Sequence, residues 1–104
     1  MRSLLACLAA VAAGPAAAGW LPAPGVYCPV GVDVPAISAH GTSVGIDLLD
    51  CRRPRISGGR LRAQQCFANG GTAVPYDTDL QVLPGGDLQH DGVLFRRRDW
   101  GPCP

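Results

Sequence analysis

"CRRPRISGGRLRAQQC", residues 51–66, decides the fold. It begins and ends on cysteine, has Gly58-Gly59 at its midpoint, and holds five arginines and no acid. Two glycines between β-favouring runs read as a two-residue hairpin turn, because both central positions of a type I′ turn need positive φ. Counting outward from that turn sets Ser57 opposite Arg60, Arg55 opposite Arg62, Arg53 opposite Gln64 and Cys51 opposite Cys66. The two cysteines are thus equidistant from the turn, where a cross-strand disulfide can form. The count also makes them a hydrogen-bonded pair, whose Cα atoms lie ~5.5 Å apart against ~4.5 Å for the alternate kind. A bulge at Arg52-Arg53-Pro54 would relieve that mismatch. Pro54 falls where the hairpin needs no N–H from it, which marks this strand as an outer edge.

The same register sorts the arginines. Side chains alternate across a strand, so Arg53, Arg55, Arg60 and Arg62 are expected on one face with Gln64 and the cystine. Pro54, Ile56, Leu61 and Ala63 belong to the other face, and Arg52 is the exception. Arg55 opposite Arg62 is a like-charge pair, unfavourable unless an anion or a carboxylate such as Asp47 or Asp50 lies between them. The arginine face is therefore the candidate binding surface, set against the plainer reading of a solvated charge row that protects an edge strand from aggregation.

Pairing Cys51 with Cys66 leaves Cys28 with Cys103, which would join the first and last strands. The separations along the chain are 23, 15 and 37 residues, unlike the closely spaced ligand pairs of a zinc site. There is no CxxC redox pair and no CxxCH haem site. In a short exported chain, four cysteines read as two disulfides.

Export is read from the first eighteen residues. Arg2 supplies a positive n-region, Leu4 to Ala13 an apolar run, Gly14-Pro15 a break, and Ala16-Ala17-Ala18 the small residues before a cleavage point. The apolar run is about half of the ~20 residues a spanning helix needs. Cys7 has too little chain before it for a lipoprotein signal. Cleavage after Ala18 would leave a chain with eight arginines and eight aspartates, and with neither lysine nor glutamate anywhere. Formal neutrality gives no reason to expect nucleic acid or a membrane surface as partner. With about 86 residues, the domain supports one modest core and depends on its crosslinks.

Working outward, residues 19–27 read as a proline-rich arm and 28–104 as one β domain. "GVYC", "TSVGIDLLDC", "RLRAQQCFA", "DLQVLP" and "GVLFRRR" are the expected strands. In the second, Val44, Ile46 and Leu48 alternate with Ser43, Gly45 and Asp47. In the third, Leu61, Ala63 and Phe67 oppose Arg62, Gln64 and Cys66. Asn69-Gly70-Gly71, Pro84-Gly85-Gly86 and Asp91-Gly92 supply turns. "HDGV" reads as a second two-residue hairpin, with Leu88 opposite Phe95. No helical periodicity follows residue 20. The expected fold is all-β, a small antiparallel meander closing into a barrel or sandwich and stabilised by Cys51–Cys66 and Cys28–Cys103.

Other chemistry is thinner. His40 lies in "SAHGTS" near Ser38 and Ser43, without a motif that makes base and nucleophile of them. His90 reads as a flank of the Asp91-Gly92 turn. Asp77, Asp79, Asp87 and Asp91 match no calcium-loop spacing and read as loop solvation. "FRRRDW", 95–100, mixes aromatics with arginine as single-strand binders do, but export and strand alternation argue against nucleic acid. Arg97 is expected to lay its stem beside Phe95. Trp20 and Trp100 read as lids on the core. No cofactor and no metal site is indicated. These residues define an exported, non-enzymatic binding or accessory protein of the cell envelope, periplasmic or secreted, meeting an anionic or protein partner through Arg53, Arg55, Arg60 and Arg62. The competing readings are a small periplasmic enzyme using His40 or His90, and a carrier with a ligand in its barrel.

Overall fold

The computed structural model describes residues 21–99 and 101–104. The expected signal segment 1–18 and both tryptophans, Trp20 and Trp100, lie outside the described residues. Ten strands follow one another: β1 Gly25–Pro29, β2 Ile37–His40, β3 Ser43–Ile46, β4 Leu49–Arg52, β5 Arg55–Ser57, β6 Arg60–Phe67, β7 Ala73–Asp79, β8 Gln81–Val82, β9 Leu88–His90 and β10 Val93–Arg98. All pairings are antiparallel, and each strand pairs with its sequence neighbour wherever a turn separates them. β4 and β5 are two halves of one interrupted strand, since both pair with β6. β7 and β8 are likewise halves of one bent strand: β7 pairs with β6, and β8 turns away to β9. The meander then returns on itself, because β10 pairs with β1 from Phe95 opposite Pro29 to Arg98 opposite Val26. The result is a nearly closed barrel in which the strand bends at Leu80, where β7 passes into β8.

The interior is filled from every side: Tyr27, Ile37, Ala39, Val44, Ile46, Cys51, Ile56, Leu61, Ala63, Cys66, Leu80, Leu88 and Phe95 form one buried cluster. Leu88 faces Phe95 as the Asp91-Gly92 turn requires, and both turn residues have positive φ. Gly58 and Gly59 do the same for the first hairpin, with Ser57 opposite Arg60, Arg55 opposite Arg62 and Cys51 opposite Cys66. The two disulfides are Cys28–Cys103 and Cys51–Cys66.

The cystine at 51–66 does not share the arginine face. Both of its cysteines are fully buried in the core. Between the cysteines and the turn, each strand spends two consecutive residues on the outside: Arg52 and Arg53 on one, Gln64 and Gln65 on the other. Arg53 takes positive φ, donates its N–H to the Thr42 carbonyl at 2.8 Å, and so leaves the ladder that would have set it opposite Gln64. On β6 a register irregularity against β7 falls between Ala63 and Cys66. The matched slips keep the hairpin count intact but reverse the facing of its far end, which also turns Phe67 out of the core. The cystine's Cα atoms lie 3.9 Å apart, closer than either regular pair type.

The long strand expected over 42–51 is a hairpin. Asp47 and Leu48 have φ of 52° and 66°, and β3 folds back on β4 with Ile46 opposite Leu49. Leu48 is therefore not an inward residue; it is 80% exposed at the tip. Strands β2 and β7 were not among the expected ones. The arm is shorter than expected, because pairing begins at Gly25. Leu21 packs against the core, the Tyr27 hydroxyl donates to the Ala23 carbonyl, and the Arg97 guanidinium donates to the Pro24 carbonyl at 2.6 and 2.9 Å.

Candidate functional site

The arginine face is present on the outer wall. Arg52, Arg53, Arg55 and Arg62 are exposed and Arg60 half-buried, while Pro54, Ile56, Leu61 and Ala63 are buried behind them. Arg55 stands directly opposite Arg62. The carboxylate that relieves this row is Asp77, not Asp47 or Asp50. β7 brings Asp77 opposite Arg62, and its two oxygens meet Arg60 at 2.9 Å and Arg62 at 3.4 Å. The Arg60 hydrogen bond in particular holds the Asp77 carboxyl below its usual range. Asp50 instead meets Arg52 at 3.5 Å, and the Arg52 guanidinium also lies over the Phe67 ring, 5.1 Å from its centre.

Arg53 and Arg55 make no ion pair among the described residues. They line an open groove of about 770 Å³ with Arg52, Arg62, Gln64, Gln65, Tyr76 and Asp77. A second groove of about 520 Å³ shares Arg52, Arg53 and Gln65 with it and adds Ser38, His40, Thr42 and Ser43. Together they form a trough across the sheet, lined by guanidinium, amide and hydroxyl groups. His40 sits on this trough, exposed on β2 and opposite Ser43.

His90 is different. It is the buried polar residue among the described residues, 5% exposed. Its Nδ1 lies 2.7 Å from the Asp79 carbonyl and its Nε2 lies 3.0 and 3.1 Å from the Asp47 carboxylate oxygens. The Tyr76 hydroxyl donates to the same carboxylate. Burial and this donation to an acid both push the Tyr76 phenol up. Asp79 and Asp87 are not solvating loop residues: Asp79 accepts the Asp91 N–H at 2.8 Å and Asp87 accepts the Arg97 N–H at 3.1 Å. Sequence spacing gave no hint of the His90 cluster, because its partners lie 11 and 43 residues away. Among the described residues no three acidic, histidine or cysteine side chains are arranged to hold a metal ion, and no helix is long and apolar enough to cross a membrane.

These features define a small, disulfide-bonded, nearly closed β-barrel with an arginine-lined outer trough. Compared with protein-family models, curated proteins and solved structures, the chain matches none.

Proposed function

We propose that the protein is an exported binding or accessory module of the cell envelope, in the periplasm or outside the cell, and that it meets an anionic partner through the trough beside the stapled hairpin. One observation carries the reading: four guanidinium groups line the larger groove and a single carboxylate, Asp77, faces them. Arg60 and Arg62 already share that acid, so Arg53 and Arg55 are the cations left to a partner. Within the groove, Arg55 and Arg62 face one another across the hairpin. An anion between two guanidinium groups accepts charge-assisted hydrogen bonds from both and removes their repulsion. Two disulfides and the apolar leader support an oxidising compartment.

The test is a paired substitution, Arg53→Gln with Arg55→Gln, which leaves the Asp77 ion pairs in place. On phosphate-bearing and sulfonate-bearing beads the variant elutes at clearly lower salt than the native protein, and it captures less material from envelope extracts. Elution at the same salt, with equal capture, would overturn the reading.

A further inference from the structure

His90 is enclosed by acceptors. From β7 the Asp79 carbonyl faces Nδ1, and the Asp79 carboxylate lies 3.5 Å from that same nitrogen. From the β3–β4 turn the Asp47 carboxylate faces Nε2. Tyr76 on β7 is already spent on Asp47. Asp91 in the β9–β10 turn gives its N–H to Asp79, and the Phe95 ring on β10 lies 6.2 Å from the imidazole. Across the ladder from Asp79 stands Arg60, whose guanidinium is taken by Asp77.

A neutral imidazole carries one N–H and one lone pair. With the proton on Nδ1, the Nε2 lone pair confronts the Asp47 carboxylate. With the proton on Nε2, the Nδ1 lone pair confronts the Asp79 carbonyl. Only the imidazolium, a donor at both nitrogens, satisfies both contacts.

We propose that His90 is a proton-operated clasp: protonated, it ties the β3–β4 turn to the bend between β7 and β8, and on losing the proton it releases one of the two. What it holds is costly to hold otherwise. Asp47 and Leu48 both take left-handed backbone conformations without being glycine, which L-residues avoid. The bend at Leu80 is where the sheet changes partners from β6 to β9. Burial pulls the imidazole pKa down, yet the Asp79 carbonyl and the Asp47 carboxylate outweigh it, and the net displacement is upward.

The sign of the pH dependence follows. A pKa raised on folding adds stability in full below the unfolded-state value of ~6.5, and that stability is lost as pH rises through the higher folded value. The barrel is tightest in mild acid and loosens toward alkaline pH.

The test uses the intact oxidised protein. The imidazole signals of His90 are followed by NMR through a pH titration of the folded protein and again in urea, and urea unfolding is measured over the same range. His90 is expected to titrate higher in the folded protein than in the unfolded chain, with Leu48 and Leu49 backbone signals shifting on the His90 curve. Linkage then requires the unfolding constant to rise tenfold for each pH unit separating folded and unfolded His90 values. Asp47→Asn, which removes the charge but keeps a polar side chain at the turn, should lower the His90 midpoint and flatten the profile. A His90 midpoint in the folded protein at or below that in the unfolded chain overturns the clasp, as does an unchanged midpoint in Asp47→Asn. The native titration decides the matter even where a His90→Gln variant fails to fold.

Discussion

The Cys28–Cys103 bond joins the first strand not to the last, as expected, but to the chain beyond it, and cutting it is the sharpest test of how the barrel is held shut. Replacing Cys28 and Cys103 together by alanine leaves every ladder in place but removes a crosslink spanning 75 residues. In the chain-entropy relation, a loop of that length is worth ~4.5 kcal/mol, against ~3 kcal/mol for the 15-residue loop closed by Cys51–Cys66. A domain of this size has ~4–12 kcal/mol in all, so the double variant sits near the edge of folding. The burial of the two cystines differs in the opposite sense. Cys51 and Cys66 are both fully buried within the core cluster, whereas Cys28 is buried outside that cluster and Cys103 is half-buried. Truncating the inner pair therefore adds the larger packing loss, ~0.8 kcal/mol for each buried methylene-sized group removed. The two double variants should lose comparable stability for different reasons. Urea unfolding followed by circular dichroism separates them. Loss of the long crosslink lets the denatured chain expand and raises the slope of stability on urea, while loss of the short one leaves that slope nearly unchanged. A loss below ~1 kcal/mol in Cys28→Ala/Cys103→Ala, with no change in slope, would refute the chain-entropy reading of this bond.

Two further outcomes follow from local geometry. Leu48→Asn, at a turn position with φ of 66° and 80% exposed, should raise stability by about 1 kcal/mol in denaturant unfolding, because asparagine tolerates the left-handed region and almost no buried contact is given up. Asp77→Asn should flatten stability in the acid range. With its pKa held down by Arg60, Asp77 contributes above the usual carboxylate value and that contribution disappears as pH falls through the lower folded one. The variant's profile, measured by the same denaturation from neutral to acid pH, should lack that fall.

Much of the scaffold can be read from turn chemistry. Gly58-Gly59 and Asp91-Gly92 announce backbone conformations that few other pairs accept, so their registers, and with them Arg55 opposite Arg62 and Leu88 opposite Phe95, follow by counting. Asp47-Leu48 makes the same kind of turn without that chemistry, since leucine signals the opposite of positive φ, and the hairpin passes for one alternating strand. β7 hides for another reason. "AVPYDTD" contains a proline and two acids, and most of its residues lie exposed, so no apolar alternation marks it as a strand. Yet it is β7 that supplies Asp77 to the arginine row and Tyr76 to the clasp. The facing of the cystine was misjudged because two slips of phase, one on each strand, cancel in the register and add in the facing. The His90 cluster depends on barrel closure itself, which brings residues 47, 79 and 90 together from three separate hairpins.

The pairing of β10 with β1 has a consequence for how the molecule can be attached to anything else. A meander that returns to its first strand is a ring, and a ring has no intrinsic beginning. Gly25, where the chain enters the sheet, and Arg98, where it leaves, stand at adjacent positions on one rim. Beyond Arg98 the chain is tied back along β1 by Cys28–Cys103, so a pull on the C-terminal end is taken up by the strand through which the chain enters the sheet. The same adjacency means that joining the two ends and opening the chain in the exposed Gly70-Gly71 loop would reorder the strands in sequence while leaving every neighbour in the sheet unchanged.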